Sequence, residues 1–387
     1  MSVLSMMPTW NAPSEVWLPR MMEMLGNDLN TIIVNSTDGS SNWVDRARIV
    51  SIHQYHRHFR YVTRIARQFG IDLLKAERDP NAIISQEVTR SEISCIFCHY
   101  GTYAVNFLEV WRRIDKPLFV HFHGYDATID LRISERPNEK AHNPYYLAQI
   151  LELSTLATLI ANSEYTKANL ISHGVPEERV IVKHLGVPLP DRVKKHERRK
   201  GIRILHLGRL VDFKSPDRTI LAFELARKMG LDGELWIAGD GPLKVTCELM
   251  RLRSPYKESI HIFGAVSSAQ AEKLLGEADI FTQHNIVGEL SRQSEAFGVS
   301  IVEAMSHGLP VVGTQNGGVV ETVLDGLTGT LVTPGDIEAQ AKAFLLYAND
   351  PHLRQQIGSQ ARKRVEEHFT LDQEKYRLRS ILGLTTV

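Results

Sequence analysis

Two carboxylates border an apolar run in the stretch SEAFGVSIVEAMSHGLPVVGTQNGG, residues 294–318. Glu295 precedes the run and Glu303 follows it. Burying a carboxylate costs several kcal/mol unless it is paired or hydrogen-bonded. The two residues therefore belong either to a solvated helix face or to a site that binds a polar ligand.

Two cations follow another apolar run. Arg209 and Lys214 lie in GRLVDFKS, residues 208–215, which is not a phosphate-binding P-loop because Phe213 replaces the second glycine. Most such residues are simply exposed charges. Their position directly after a predicted core strand nevertheless favours a diphosphate ligand, which a guanidinium and an ammonium suit well. The chain has no Asp-x-Asp pair to hold Mg²⁺, so we expect a metal-independent site.

Two further motifs resemble cofactor sites but lack the required context. CIFCHYG contains Cys95, Cys98 and His99 with the spacing of c-type haem attachment, yet its flanks predict a buried strand. Cys247 is the only other cysteine, so no zinc site is predicted. GDGPLK has Lys244 where a dinucleotide fingerprint has its third glycine. We expect no cofactor and no metal.

The elements that must position these residues alternate between apolar strands and helical segments. Near-continuous Val, Ile and Leu strands separated by helices predict parallel sheets covered on both faces, an open α/β architecture. The linker-like GVPLPDRVKKHERRKG, residues 186–201, separates two series and places a boundary near residue 190. The first series is TIIVN, CIFCH, LFVHF, TLIANS and VIVKH, and the second is IRILHLG, ELWIAG, SIHIFG, ADIFTQ and PVVGT.

Composition sets the class of protein. The chain has 387 residues, of which 43% are hydrophobic and 23% charged, as in an ordinary globular protein of about two domains. Its 45 basic residues balance 45 acidic ones, so we expect no nucleic-acid partner. No signal peptide or run of 18 apolar residues is evident, and a cytoplasmic location is expected.

Five motifs together point to one family. HFHGYDAT, ANSEYTKANLISHGVPEERVIV, LHLGRLVDFKSPDRTILAF, WIAGDGPL and the SEAFGVSIVEAMSHGLPVVGTQNGG region occur in this order. In these motifs the chain resembles glycosyltransferase family 4, a retaining group with a Glu-x7-Glu motif, and especially its bacterial exopolysaccharide and lipopolysaccharide members. The resemblance implies a GT-B fold, two facing Rossmann-like domains with a cleft between them.

The resemblance also implies a role for each matching residue. Glu295 faces the donor sugar, Glu303 the ribose, and the helix N-terminus between them the phosphates, while His123 lines the sugar subsite. The nucleotide base is held by backbone groups near Val266. The catalytic set is therefore His123, Glu295, Arg209 and Lys214, and the donor-binding set is Arg209, Lys214, Val266, Glu295, Phe297, Gly298, Val299 and Glu303.

The implied domains divide the work between donor and acceptor. Residues 1–190 bind the acceptor, residues 191–370 bind the nucleotide sugar, and residues 371–387 form a helical tail that we expect to return to the first domain. NAPSE stands where the family has a glycine-rich loop, which makes Asn11 and Ser14 candidate acceptor-binding residues. The family often has Gly at the position of Ser215.

The implied reaction is transfer of a sugar, with retention, from a UDP- or GDP-sugar to a hydroxyl of a glycan or lipid-linked glycan. Surface polysaccharide biosynthesis is the expected setting. Two alternatives remain: a nucleotide-sugar 2-epimerase with a similar two-domain fold, and a noncatalytic carbohydrate-binding subunit of an assembly complex.

One basic segment stands apart from these motifs. Residues 46–70 contain six Arg, three His and no acid. Their periodicity predicts a helix with an apolar stripe, formed by Tyr55, Phe59, Val62, Ala66 and Phe69. The opposite face is either solvated or binds an anionic surface at the inner face of the cell membrane, and it comprises Arg57, Arg60, Arg64 and Arg67.

Overall fold

The computed structural model describes residues 1–10, 15–37, 47–52, 80–128, 131, 143–191 and 201–385. These residues form two compact units. The N-terminal unit contains Met1–Asn162, Thr166–Lys183 and Lys375–Val387, and the C-terminal unit contains Ser163–Tyr165 and His184–Glu374. Residues 192–200 of the predicted linker lie outside the described residues, so the boundary near residue 190 stays a prediction.

The N-terminal unit is built on a parallel sheet. Its described strands have the order β3-β2-β1-β4-β5-β6-β7, which reverses direction at β1 as in a Rossmann fold. The strands are β1 Val3–Trp10, β2 Leu29–Thr37, β3 Arg48–Ser51, β4 Cys95–His99, β5 Leu118–Phe122, β6 Thr158–Ala161 and β7 Val180–Val182. The helices are α1 Trp17–Leu25, α2 Pro80–Val88, α3 Gly101–Ala104, α4 Leu108–Trp111, α5 Tyr125–Thr128, α6 Tyr146–Leu156 and α7 Glu164–Ser172, the last of which begins in the C-terminal unit.

Two strands of this sheet were not predicted. β1 contains Pro8, which lacks a backbone donor, but pairing of β1 with β4 extends only from Val3 to Met6, so the proline lies beyond that ladder. β3 occupies the start of the basic segment 46–70, before the first residue of the predicted helical stripe, Tyr55. The rest of that segment lies outside the described residues, including Arg57, Arg60, Arg64 and Arg67.

The C-terminal unit repeats the same architecture. Its described strands have the order β10-β9-β8-β11-β12-β13, which reverses between β8 and β11. The strands are β8 Ile202–Leu207, β9 Gly233–Ala238, β10 Ile260–Gly264, β11 Ile280–Thr282, β12 Val311–Thr314 and β13 Gly329–Val332. The helices are α8 Pro216–Lys228, α9 Lys244–Arg253, α10 Ser268–Glu277, α11 Val299–Ser306, α12 Val319–Thr322, α13 Ile337–Asn349, α14 Pro351–His368 and α15 Leu371–Ile381, which ends in the N-terminal unit.

Apolar strands explain why both sheets form. Every residue of β4 is buried, and in β8 the alternating Ile202 and Ile204 belong to one hydrophobic cluster with Phe223 and Phe344 of the covering helices. Parallel sheets need helices on both faces, which is what near-continuous apolar strands predict. The prediction of an α/β chain with two Rossmann-like sheets is confirmed.

The C-terminal end of the chain is fixed to the N-terminal unit by an arginine. The Arg379 guanidinium donates to Asp28 Oδ2 at 2.7 Å and to the carbonyl oxygens of Met24 and Leu25 at the end of α1. A cation is favourable at a helix C-terminus, where carbonyls lack intrahelical partners. These contacts attach the end of α15 within that unit.

Candidate active site

The predicted phosphate-binding residues Arg209 and Lys214 lie near the switch point of the C-terminal sheet. β8 and β11 are neighbours there, and ligands of such sheets bind beyond the carboxyl ends of the strands. Gly208 follows β8, and a Cβ at this position would lie 3.1 Å from Gln283 Nε2 and 3.4 Å from Lys214 Cδ. Glycine therefore leaves room for both side chains to approach the strand end.

Lys214 and Glu295 form a buried ion pair at this point. Lys214 Nζ donates to Glu295 Oε2 at 2.5 Å, and the side chains are 11% and 13% exposed. The other oxygen, Glu295 Oε1, accepts the backbone N–H of Gly298 at 3.1 Å. Burial raises the pKa of Glu295, but the Lys214 ammonium outweighs it and holds that pKa below its usual value, with a smaller contribution from Arg209.

Gln283 connects the ion pair to the end of β8 and to the start of α11. Its Nε2 donates to the Leu207 carbonyl at the end of β8, at 2.7 Å, and to Ser300 Oγ in the first turn of α11, at 3.0 Å. Its Oε1 lies 3.5 Å from Lys214 Nζ and accepts from Asn285 Nδ2 at 3.4 Å. One fully buried amide thus links the strand end, the helix start and the lysine.

Two glycines determine where the Glu295 loop lies. The Gly318 N–H donates to the Glu295 carbonyl at 2.8 Å. A Cβ at Gly317 would overlap the Glu295 carbonyl, and one at Gly318 would overlap the Ala296 carbonyl. The sequence NGG after β12 therefore lets this loop pack directly against the backbone.

Helix α11 starts slightly later than predicted. It begins at Val299, not near Phe297, with Gly298 as its N-cap at φ 83° and ψ 58°. The left-handed conformation favours glycine. Glu303 consequently lies about one turn into the helix, not two, and is half-buried.

The remaining predicted donor residues differ in exposure. The Phe297 side chain is 1% exposed, and its ring centroid lies 5.5 Å from that of Phe369 and 5.6 Å from that of His184. Only the backbone of Phe297 is therefore left for a ligand. Arg209 is exposed after β8. Val266 is half-buried after β10, two strands away from β8 in the sheet.

A short 3₁₀ turn, Asp212–Lys214, carries the lysine. Asp212 holds a neighbouring loop by accepting the N–H groups of Leu290 and Ser291 and the Ser291 hydroxyl, at 2.7 to 2.9 Å. Ser215 follows at φ 40° and ψ 61°, the left-handed region. That conformation gives a physical reason for the glycine that the family often has there.

His123 lies in the N-terminal unit, directly after β5. Its backbone N–H donates to Asp126 Oδ1 at 2.9 Å, while Asp126 Oδ2 accepts the Gly101 N–H at 2.8 Å, which ties the β5 loop to the β4 loop. The ring stacks on Trp17 at 4.2 Å. Its Nε2 lies 3.2 Å from His99 Nδ1.

Burial keeps this group of histidines uncharged. It lowers the pKa of His99 to about 3 and lowers the pKa values of His121 and His123 well below the usual value, with further contributions from neighbouring rings and the Lys183 ammonium. His99 and His121 were not predicted as site residues. The signal for His99 was present, because this polar residue ends the apolar strand β4, which lies at the switch point of the sheet.

The structure describes the residues on either side of the predicted acceptor-binding residues but not those residues themselves. Asn11 and Ser14 lie outside the described residues, between the end of β1 and Glu15. The Tyr100 hydroxyl donates to Glu15 Oε1 at 2.7 Å, which fixes one end of this loop beside β4.

The three cysteines are all reduced and buried. Cys95 and Cys98 are three residues apart in β4, so their side chains point to opposite faces of the sheet. Burial raises the pKa of Cys95 to about 11. The motif CIFCHYG is therefore a strand in this protein.

Among the described helices, none is both long enough and apolar enough to span a bilayer.

Two family models match the chain. The model described as Glycosyltransferase Family 4 matches residues 46–190, and the model described as Glycosyl transferases group 1 matches residues 190–364. Together they cover residues 46–364, which include the C-terminal sheet, strands β3 to β7 of the N-terminal sheet and the site around Lys214 and Glu295. The chain belongs to this family of glycosyltransferases.

Similar curated proteins act in bacterial polysaccharide synthesis, by their names. The putative colanic acid biosynthesis glycosyltransferase WcaL of Escherichia coli K12 is 25% identical over 78% of this chain and 73% of its own. The Salmonella typhimurium protein of the same name is 26% identical over 67% of this chain, and the amylovoran biosynthesis glycosyltransferase AmsK of Erwinia amylovora is 26% identical over 64%. The matches span 63% and 59% of these last two relatives, less than two thirds.

Solved structures share the fold. Anabaena Alr3699/HepE in complex with UDP has a TM-score of 0.74 and 18% identity over 99% of this chain and 100% of its own. The lipopolysaccharide outer core galactosyltransferase WaaB has a TM-score of 0.70 and 16% identity over 99% of each chain. These similarities establish the GT-B fold.

Proposed function

We propose that the protein is a retaining glycosyltransferase that moves a sugar from a nucleotide-sugar donor to a hydroxyl of a glycan or lipid-linked glycan, in surface polysaccharide biosynthesis. The observation that carries the proposal is the buried Lys214–Glu295 pair at the start of α11, beside the switch point of the C-terminal sheet. A carboxylate and an ammonium held together there suit a sugar and a diphosphate.

In this proposal the C-terminal domain, residues 191–370, holds the donor. Lys214 and Arg209 neutralise the diphosphate, and the N-terminus of α11 adds its partial positive charge at Val299. Glu295 binds the sugar and Glu303 the ribose. Backbone groups near Val266 hold the base.

The N-terminal domain, residues 1–190, holds the acceptor in this proposal. Asn11 and Ser14 follow the central strand β1 and contact the acceptor, while His123 faces the donor sugar. The tail, residues 371–387, returns to this domain in the proposal, which the presence of Lys375–Val387 in the N-terminal unit supports. These roles rest on the family resemblance and on the position of each residue after its strand.

The chemistry proposed for these residues is electrostatic. The departing diphosphate gains charge in the transition state, and preorganised cations together with a helix N-terminus stabilise that charge without reorganisation. The leaving phosphate takes the proton of the acceptor hydroxyl as the acceptor attacks from the same face. Retention of configuration follows from this geometry.

The nucleotide is the first thing to measure. Relatives include a GDP-mannose-dependent mannosyltransferase of Mycolicibacterium smegmatis, and Alr3699/HepE was solved with UDP-glucose, so both bases are candidates. A thermal-shift series with UDP, GDP and ADP should single out one nucleotide, because a ligand at 100 times its dissociation constant stabilises by about 2.7 kcal/mol. Stabilisation by none of them would contradict the proposed donor site.

Two incubations separate the proposal from its alternatives. With donor alone, a 2-epimerase would convert the sugar, whereas a transferase should show only slow hydrolysis. With donor and acceptor, the isolated chain should release nucleoside diphosphate and extend the glycan, which a noncatalytic subunit cannot do. EDTA should leave this transfer intact, since Lys214 and Arg209 replace the metal.

Association with a membrane is proposed from the sequence alone. Arg57, Arg60, Arg64 and Arg67 would hold the protein at the inner face of the cell membrane, each adding about 1 kcal/mol near an anionic surface. The protein should sediment with anionic but not zwitterionic liposomes. High salt or replacement of the four arginines by glutamine should release it, and equal binding to both liposome types would exclude the idea.

A further inference from the structure

Three histidines meet at the carboxyl edge of the N-terminal sheet. His99 ends β4 and pairs in register with His121 of β5, so both side chains lie on the same face of the sheet. His123 follows two residues after His121, and alternation returns its side chain to that face. Parallel pairing thus brings together residues that are 22 and 24 positions apart.

The ring nitrogens converge, and their only hydrogen-bond contact among the described residues joins His99 Nδ1 to His123 Nε2. One nitrogen from each ring lies within 4.8 Å of the other two. His99 and His121 are both 0% exposed. Within the described part of the chain, His121 Nδ1 and Nε2, His99 Nε2 and His123 Nδ1 are buried and form no hydrogen bond. Buried polar atoms normally have a partner, so His121, whose two ring nitrogens both lack one, is the member of the cluster that points to a ligand.

We propose that His99, His121 and His123 form a binding site for one divalent transition-metal ion, of which Zn²⁺ is the best fit. Imidazole nitrogens bind Zn²⁺ at about 2.0–2.1 Å, so two ligands in a tetrahedral site lie roughly 3.3 Å apart. The separation of 3.2 Å between His99 Nδ1 and His123 Nε2 matches this value. The nitrogen of His121 lies within 4.8 Å of both, so His121 must turn toward them to complete the site.

Coordination is compatible with the protons of the neutral rings. When His99 Nδ1 and His123 Nε2 both bind the ion, the one proton between them moves to the other nitrogen of the ring that carried it, so that His99 Nε2 and His123 Nδ1 are both protonated. Three protein ligands leave the fourth position of a tetrahedral ion to water or to a substrate oxygen.

Two charged groups near the three histidines affect the affinity for a metal ion in opposite directions. Lys183, directly after β7 and 1% exposed, lies close enough to interact electrostatically with all three rings and repels a cation. The Asp126 carboxylate, which accepts the His123 N–H, acts in the opposite direction.

Metal binding has a consequence that rests on the proposed function. A bound ion occupies His123, the residue proposed to face the donor sugar. Zn²⁺ should then inhibit transfer, and EDTA should restore it. Binding itself is measured without substrate, so its outcome is independent of whether the protein is a transferase.

The experiment is a Co²⁺ titration of the tag-free full chain, followed by the visible d–d absorption of the ion and by competition with Zn²⁺. His53, His56 and His58 are close in sequence and could bind metal by themselves, so all variants are made in a background where these three are Asn. We expect one ion per chain. His121→Phe, which keeps an aromatic ring beside Phe97, should weaken binding by more than about tenfold, the lower end of the cost of even an outer-shell change.

Two matched variants complete the test. His173→Asn, in the same unit but away from the cluster, should leave Co²⁺ affinity unchanged. Lys183→Met should increase it, because a repelling charge is removed, and this gain cannot come from misfolding. Equal affinity of the parent and His121→Phe, or no saturable Co²⁺ absorption in the parent, would overturn the proposal.

Discussion

Lys214 Nζ lies 2.5 Å from Glu295 Oε2. The ammonium that is proposed to bind the diphosphate therefore already has a carboxylate partner. Removing one member of a buried pair exposes the other to an uncompensated desolvation cost. Loss of the Glu295 carboxylate should therefore not weaken nucleotide binding, whereas loss of a carboxylate that itself binds the nucleotide would weaken it.

Glu295→Gln should lower kcat strongly but should not weaken the binding of free nucleoside diphosphate. The amide cannot stabilise developing positive charge on the sugar, and removal of one preorganised electrostatic group costs about 10²-fold or more in kcat. Lys214 loses a competing carboxylate, so the affinity for the diphosphate should stay the same or increase. Initial rates and calorimetric titration of the nucleotide measure the two effects separately.

Glu303→Gln is the matched control on the same motif. Its proposed partner is the ribose, so this change should weaken the nucleotide by about 2 kcal/mol, the loss expected for a charged hydrogen bond. If Glu295→Gln weakened the nucleotide as much as Glu303→Gln does, the assignment of Glu295 to the sugar would be wrong.

Gln283→Leu should weaken nucleoside diphosphate binding although the proposed ligand contacts do not include Gln283. Its amide bonds to Leu207, Ser300 and Lys214 hold the lysine and the start of α11 in place. Loss of this positioning should cost about 1.5 kcal/mol, or roughly tenfold in affinity. The same change at the exposed Gln355 in α14 should have no effect on titration with nucleotide.

In Gln283→Leu, a loss of protein stability must be distinguished from a loss of nucleotide affinity in the folded protein. Gln283→Leu leaves a buried carbonyl and hydroxyl without their donor, so the melting temperature should also fall. Nucleotide affinity is therefore measured well below the transition. An unchanged affinity of the folded variant would show that Lys214 is positioned by Glu295 and the backbone alone.

The sequence predicted the chemistry of this site better than its internal contacts. Arg209 and Lys214 could be found because they follow an apolar run at a strand end, where α/β proteins bind ligands. Glu295 could be found because it borders an apolar run as the first carboxylate of a Glu-x7-Glu motif. Gln283 also follows such a run, in ADIFTQ, but a neutral amide carries no chemical signal until its partners are known. The register that joins His99 to His121 is likewise a property of the sheet and is not visible in either motif.

Local geometry explains the other differences. β1 has few β-branched residues and contains a proline, so propensity did not identify a strand that the surrounding sheet nevertheless stabilises. The start of α11 at Val299 depends on the left-handed Gly298, whose conformation is not encoded by hydrophobic periodicity. Element boundaries of this kind follow from single φ and ψ angles.

Ser215→Ala should destabilise the protein by about 1 kcal/mol, whereas Ser215→Gly should be nearly neutral. Ser215 pays about 1–2 kcal/mol for its left-handed backbone, and its hydroxyl offsets part of this by donating to the Asp212 carbonyl at 2.7 Å. Alanine keeps the strain and loses the bond. Glycine loses the bond, relieves the strain, and has a larger entropy cost of folding.

Urea unfolding of the two Ser215 variants beside Thr246→Ala, an exposed change in α9, measures these differences. The order of stability should be wild type and Ser215→Gly together, then Ser215→Ala. A glycine variant as unstable as the alanine variant would mean that the hydroxyl contact, and not the backbone conformation, determines which residue the position accepts.

The last prediction concerns the pH dependence of stability and the buried His206 in β8. Burial lowers the pKa of His206 to about 3, and the Lys214 ammonium contributes in the same direction. The unfolded chain, with an ordinary histidine pKa of about 6.5, therefore binds the proton more strongly than the folded chain does. Stability attributable to this residue is complete above about pH 6.5 and is lost as the pH falls toward 3, by about 2 kcal/mol between pH 7 and pH 5.

His206→Asn removes this titration, so the unfolding free energy of the variant should fall less than that of the wild type between pH 7 and pH 5. Replacing the exposed His352 by Asn should leave the wild-type slope unchanged. Parallel pH profiles for the wild type and His206→Asn in urea unfolding would show that the buried ring is able to take up a proton without unfolding.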